Sequence, residues 1–142
     1  MSSRVLLPES LCSWVDEHLP TLRSAEGVRF KTCERIPFWW IPGNRHVEGV
    51  TLWNTVYLTE NHCPIDLFDR RTVELIFHEL IHVEQFRRNT ISFPFKYLLG
   101  HIRYGYWMNP AEVEARSRAA RLTKIYFEQT KDEGACGIYS PR

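Results

Sequence analysis

The period of the apolar residues changes near the middle of the chain, and that change predicts where strands give way to helices. From Asp69 to Arg88 no Pro or Gly intervenes, and Val73, Leu75, Ile76, Phe77, Leu80, Ile81, Val83 and Phe86 supply a core-facing surface at helical spacing. Asp66 or Asp69 suits the start of this helix, while Arg87 and Arg88 suit the negative end of its dipole. A second helix is expected to begin with Asn109 as cap and Pro110 at the first helical position, and to run to about Lys131 before Gly134. Its apolar arc holds Ala115, Ala119, Leu122 and Tyr126 on one flank and Val113, Ala120 and Phe127 on the other. Between the two, residues 92–107 carry a short helix that turns the chain back. Upstream, residues 8–19 read as a helix with Leu11, Trp14, Val15 and Leu19 on one side, and Val28, Phe30 and Thr32 alternate like a strand. Pro37, Pro42 and Gly43 mark turns around Phe38, Trp39 and Trp40, an aromatic group expected in the core. Thr55 to Leu58 is the last strand pattern before the long helix. Strands before residue 60 and helices after residue 68 predict one α+β domain over residues 1–142, a small, mostly antiparallel sheet followed by a helical C-terminal half.

Composition narrows the function classes. With 142 residues and 44% hydrophobic content, the chain can build a core without disulfides. The net charge of +1, with acids and bases interleaved, gives no reason to expect nucleic acid as a partner. No apolar stretch resembles a signal peptide or reaches the length of a membrane span, so the expectation is cytoplasmic, with no membrane partner. Cys12, Cys33, Cys63 and Cys136 are scattered, without a C-x-x-C pair, and are expected as free thiols. Cys63 beside His62 is not a catalytic dyad on this reading, because Pro64 marks a turn there.

Chemistry concentrates in His78-Glu79-Leu80-Ile81-His82. One helical turn brings residues i and i+4 to the same face, so both imidazoles can reach one zinc ion at about 2.0 to 2.1 Å. Glu79 stands alongside as a general base. It also projects among Leu75, Val83 and Phe86, where a carboxylate is costly unless something charged receives it. The plainer reading is an amphipathic helix whose histidines fill polar gaps. A catalytic zinc needs a third protein ligand and an open position. A third histidine six residues on is excluded, because Arg88 stands there and Gln85 stands at the accompanying glycine position. Glu112, near the centre of the apolar arc of the last helix, is the expected ligand. Glu114 falls on the charged side with Ser117, Arg118 and Arg121. Glu112 could instead close a capping box on Asn109, and His101 competes as third ligand.

These residues resemble the small zincin-like metallopeptidases with a glutamate third ligand, the minigluzincins, and within them bacterial domains carrying a helix of the form HELxHVxQ. Here that helix reads His78-Glu79-Leu80-Ile81-His82-Val83-Glu84-Gln85. Residues 49–58 resemble the strand-turn-strand segment that precedes it, and Glu112-Val113-Glu114-Ala115 resembles the family's E-x-E-A segment, whose first glutamate is the ligand. The likeness covers about residues 45 to 120. It implies a zincin-like fold and a zinc-dependent peptidase, with His78, His82 and Glu112 on the metal and Glu79 as base. Arg116 stands where many glutamate-zincins place an aspartate to orient a zinc histidine, so another group must do so. Glu84 replaces a residue usually uncharged and is expected in solvent or paired with Arg87, Arg88 or Arg116.

Tyr104, Tyr106 and His101 are candidate donors to an oxyanion. A peptide or protein substrate is expected to lie along Thr55 to Leu58 through backbone hydrogen bonds. The alternative function is a non-catalytic or latent zinc-binding interaction or sensor domain on the same fold, against which the presence of Glu79 argues.

Overall fold

The computed structural model describes residues 3–38 and 46–136, with side chains described as far as residue 131. Its elements run β1 (Ser3–Val5), α1 (Glu9–His18), a 3-10 turn (Pro20–Leu22), β2 (Arg29–Cys33), β3 (Gly49–Leu52), β4 (Thr55–Thr59), a second 3-10 turn (Glu60–His62), α2 (Arg70–Arg88), α3 (Ser92–Met108) and α4 (Pro110–Cys136). This is an α+β architecture in the order the periodicity predicts. The expectations at Trp39, Trp40, Pro42 and Gly43 and for the thiol of Cys136 lie outside the described residues. Cys12, Cys33 and Cys63 are free thiols.

The sheet has the order β1-β2-β4-β3. β1–β2 and β3–β4 are antiparallel, while β2–β4 is parallel, with Phe30 opposite Val56 and Thr32 opposite Leu58. The mixed character has a topological cause. β3 and β4 form a hairpin, and β4 rather than β3 enters beside β2, so it runs in the direction of β2. β4 is therefore central and hydrogen-bonded on both sides, whereas β3 is an edge strand.

α2 starts where Asp69 accepts hydrogen bonds from the backbone N–H groups of Arg71 and Thr72. It is buried along almost its whole length, because α1, α4 and the sheet pack around it. Val73, Ile76, Phe77, Leu80, Ile81 and Val83 join Leu11, Val15, Phe30, Val56, Leu58, Ala115, Ala119 and Leu122 in one core cluster. The expected arc of α4 is correct on the side of Ala115, Ala119, Leu122 and Tyr126. On the other flank Val113 and Ala120 face solvent. α4 also continues past Lys131 through Gly134.

α3 is longer than the short helix expected, and it is interrupted at Gly105, whose φ of 72° lies where glycine is favoured. The α3–α4 junction turns on Asn109, which is 1% exposed. Its side chain accepts from Ala111 N–H and donates to the Tyr97 carbonyl, so one amide caps α4 and fastens it to α3. Gly100 allows this approach, since a Cβ there would lie 2.9 Å from Asn109 Oδ1. Among the described residues no helix is long and apolar enough to cross a membrane.

Candidate metal centre

Helical spacing places His78 and His82 on one face of α2, and the start of α4 lays Glu112 against them. His78 Nε2 is 3.0 Å from Glu112 Oε2, His82 Nε2 is 3.2 Å from Glu112 Oε1, and the two Nε2 atoms are 3.1 Å apart. All three side chains are buried or nearly so, with Glu112 3% exposed. Glu112 is turned toward the histidines rather than back onto Asn109, whose backbone N–H donates to the Tyr106 carbonyl.

Three donor atoms at these separations fit a single small ion. Tetrahedral ligands at 2.0 to 2.1 Å lie about 3.3 Å from one another, close to the spacing seen here. The hydrogen bonds around His82 support the fit. Gln85 Nε2 donates to the Ala111 carbonyl and to Glu114 Oε2, both of which can only accept, so Gln85 Oε1 must face His82. At 2.8 Å that oxygen receives the Nδ1 proton of His82, so the Nε2 atom is the one that faces the other donors and would offer its lone pair once its proton gives way to a metal. Gln85 thus does the orienting for which Arg116 is unsuited. Arg116 instead donates to the Trp107 carbonyl and stacks its guanidinium over the Trp107 ring.

Glu79 is 3% exposed and lines the clefts on either side of the donor triangle. Thr51, on the edge strand, donates its hydroxyl to Glu79 Oε2 at 2.7 Å and also lies 3.1 Å from the Glu79 carbonyl. Close approach of α2 to β3 depends on Gly49, because a Cβ there would sit 2.8 Å from Glu79 Oε1. Burial pushes the Glu79 carboxyl above its ordinary value and prevails over the nearby His82, His78 and Thr51, while Glu112 adds to the rise. Burial acts the same way on Glu112, but the hydrogen bonds from His78 and His82 outweigh it and hold the carboxyl well below the usual range. At His82 burial disfavours the charged ring, yet contact with Glu112 carries the imidazole up to about 9.

Of the three expected oxyanion donors, the structure brings two to the site. Tyr106 and His101 line the same cleft as His82 and Glu112, whereas Tyr104 is 50% exposed beside Arg103. His101 is not among the clustered donor atoms, which are those of His78, His82 and Glu112. Its Nδ1 is buried without a partner among the described residues. Tyr97 was not singled out by sequence, yet its hydroxyl donates to Glu112 Oε1 at 2.7 Å. Burial and then the charge of Glu112 push both Tyr97 and Tyr106 up, so both hydroxyls keep their protons. Phe93, Tyr97 and Gly100 share the inward face of α3, and that periodicity was the available signal for Tyr97.

Two further expectations need correction. Glu84 is not in solvent: it is 2% exposed and takes paired hydrogen bonds from Arg118 at 2.8 and 2.9 Å, with Arg88 and Thr21 completing its shell. Of the three arginines expected for it, only Arg88 is a partner; Arg87 turns inward to Asn54 and the Leu22 carbonyl. Glu114, half-buried, pairs with Arg88 and Arg118 and also braces Gln85. The second correction concerns the substrate strand. Thr55 to Leu58 lies in β4, whose backbone is paired with β2 and β3, so no peptide can add there. Among the described residues the sheet has two edge strands, β1 and β3; β3 is the one beside the site, and Gly49, Val50, Thr51 and Leu52 line a cavity of about 350 Å³ that also reaches His82 and Glu112.

Compared with family models, with curated proteins and with solved structures, the chain shows no significant match.

Proposed function

We propose that the chain is a zinc-dependent metallopeptidase with a zincin-like fold, in which His78, His82 and Glu112 hold the ion and Glu79 is the general base. The observation that carries this reading is Glu79: a buried carboxylate, fixed by Thr51 beside three converging donor atoms, in a cleft open to ligands. A purely structural metal site has no use for such a group. Zinc held there would supply the Lewis acidity that makes a water nucleophilic near neutral pH. The chain's own part is to place the proton acceptor and the oxyanion donors. Glu79 takes the proton from the attacking water and returns it to the departing amine. His101 and Tyr106 are positioned on the cleft wall to donate to the oxyanion, and Tyr97 steadies Glu112. The substrate is a peptide or protein segment that adds to the free edge of β3, so its backbone rather than its side chains is gripped.

The test is Glu79→Gln. Glutamine matches the shape of glutamate and cannot accept the proton, so the variant should bind one zinc per chain while hydrolysis of unfolded protein disappears. Wild-type turnover in Glu79→Gln would refute the assignment. Zinc binding without any hydrolysis by the wild type would favour a metal-binding interaction domain instead.

A further inference from the structure

The outer face of α3 is a surface of a different kind. On a wheel of about 100° per residue, Ile91, Phe95, Leu98, Leu99 and Ile102 fall within an arc of about 100°. All five face solvent, at 81%, 67%, 56%, 66% and 73% exposure. Trp53, half-exposed, extends the ridge at its start, where its indole N–H donates to the Thr90 carbonyl. Opposite this arc Phe93, Tyr97 and Gly100 are turned inward, so the ridge is the side of the helix that the described residues leave uncovered. A continuous apolar ridge of this size on a small domain marks a surface with a function.

The charges beside the ridge indicate what covers it. No Asp or Glu occurs from Gln85 to Ala111. Arg87 and Arg88 are engaged inward or with Glu84 and Glu114, while Lys96 and Arg103 stand exposed along one flank of the ridge. Apolar side chains bordered by cations, with no acid among them, have the composition of a helix that lies in the plane of an anionic bilayer surface. A second copy of α3 fits less well. Each helix would bring its own Lys96 and Arg103 and no acid to offset them.

We propose that α3 docks the protein onto anionic phospholipid membranes, with Phe95, Leu98, Leu99 and Ile102 entering the interface and Lys96 and Arg103 meeting the headgroups. This is attachment to a surface and involves no spanning helix. It departs from the expectation, drawn from segment length alone, that no membrane takes part. Leu98 belongs both to the ridge and to the wall of the cleft that reaches His82 and Glu112, so docking brings the mouth of that cleft to the membrane. The proposal does not depend on peptidase activity.

Co-sedimentation of the full chain with vesicles tests it, using phosphatidylcholine alone and an equal mixture of phosphatidylcholine and phosphatidylglycerol. The wild type should sediment with the mixed vesicles, less so as salt rises, and weakly with phosphatidylcholine alone. Lys96→Gln with Arg103→Gln removes two cations and should weaken partitioning by about thirtyfold. The triple variant Phe95→Gln, Leu99→Gln, Ile102→Gln should weaken it by at least about a hundredfold. These positions are exposed, and a native circular dichroism spectrum checks that each variant is folded. Wild-type protein left in the supernatant with mixed vesicles overturns the proposal, as does undiminished binding by either folded variant. Self-association of the wild type that the triple variant abolishes, without vesicle binding, would assign the ridge to a second copy and also overturn it.

Discussion

Gly49→Ala adds a single methyl group, and the structure says what it meets. The new Cβ would lie 2.8 Å from Glu79 Oε1 and 3.1 Å from its Cγ and Cδ, where relaxed contacts need about 3.5 Å or more. The Glu79 side chain or strand β3 must therefore retreat by about half an ångström or more. Both movements pull on the 2.7 Å hydrogen bond from Thr51. Overpacking of this kind costs about 1 to 3 kcal/mol, and weakening a buried hydrogen bond to a carboxylate brings the expected loss to about 2 to 4 kcal/mol. The three atoms nearest the new Cβ all belong to Glu79 and none to His78, His82 or Glu112, so zinc stoichiometry should stay at one per chain. A base displaced by a fraction of an ångström should lower turnover by about tenfold to a hundredfold. Urea unfolding, metal analysis and hydrolysis of an unfolded protein read the three quantities on one preparation. Wild-type turnover together with stability within about 0.5 kcal/mol of wild type would refute the placement of Glu79 against β3.

Other expectations follow from the same contacts. Gln85→Ala should weaken zinc affinity by about tenfold to a hundredfold in a chelator competition, because His82 loses the acceptor that orients it; unchanged affinity would remove Gln85 from that role. Arg118→Ala leaves Glu84 buried with only Arg88 and Thr21 as partners and should cost about 2 to 3 kcal/mol on urea unfolding, whereas a surface pair would cost less than about 1 kcal/mol. Asp69→Ala should lower the melting temperature at neutral pH. The carboxyl of Asp69 is held below its ordinary value by the Thr72 hydroxyl and by the backbone N–H groups of Arg71 and Thr72. Its contribution is therefore full above the unfolded value of about 3.9 and lost as pH falls through the lower folded value, so the difference between the two proteins should shrink steadily as the solution is made more acid than that.

What could be read from sequence was what local periodicity encodes. The uninterrupted run after Asp69 specifies a helix, helical spacing unites His78 with His82, and the apolar arc around Ala115, Ala119 and Leu122 turns Glu112 inward. Tertiary partners were not legible in this way. Nothing in residues 49–52 announces that Thr51 will hold Glu79, or that Gly49 is there to admit it, because that contact joins segments 28 residues apart. Glu84 was expected in solvent or paired with Arg87, Arg88 or Arg116, and of these only the Arg88 pair is found. Glu84 is buried because Arg118, 34 positions away, meets it with a bidentate guanidinium. Gln85 could have been found, since it lies three residues beyond His82 on the same helical face. The parallel pairing of β2 with β4 depends on strand order, which alternation along one strand does not contain.

The separation of the donor residues along the chain fixes the order in which they are synthesised. His78 and Glu112 are 34 positions apart, and Glu112 lies on a helix whose cap, Asn109, donates to the Tyr97 carbonyl on α3. A nascent chain that has emerged only as far as α2 carries two histidines and a base but no third ligand. The three donors come together only when α4 folds onto α2, so if the centre is the peptidase site proposed above, the emerging polypeptide would be kept from acting on itself or on its neighbours until its core is closed.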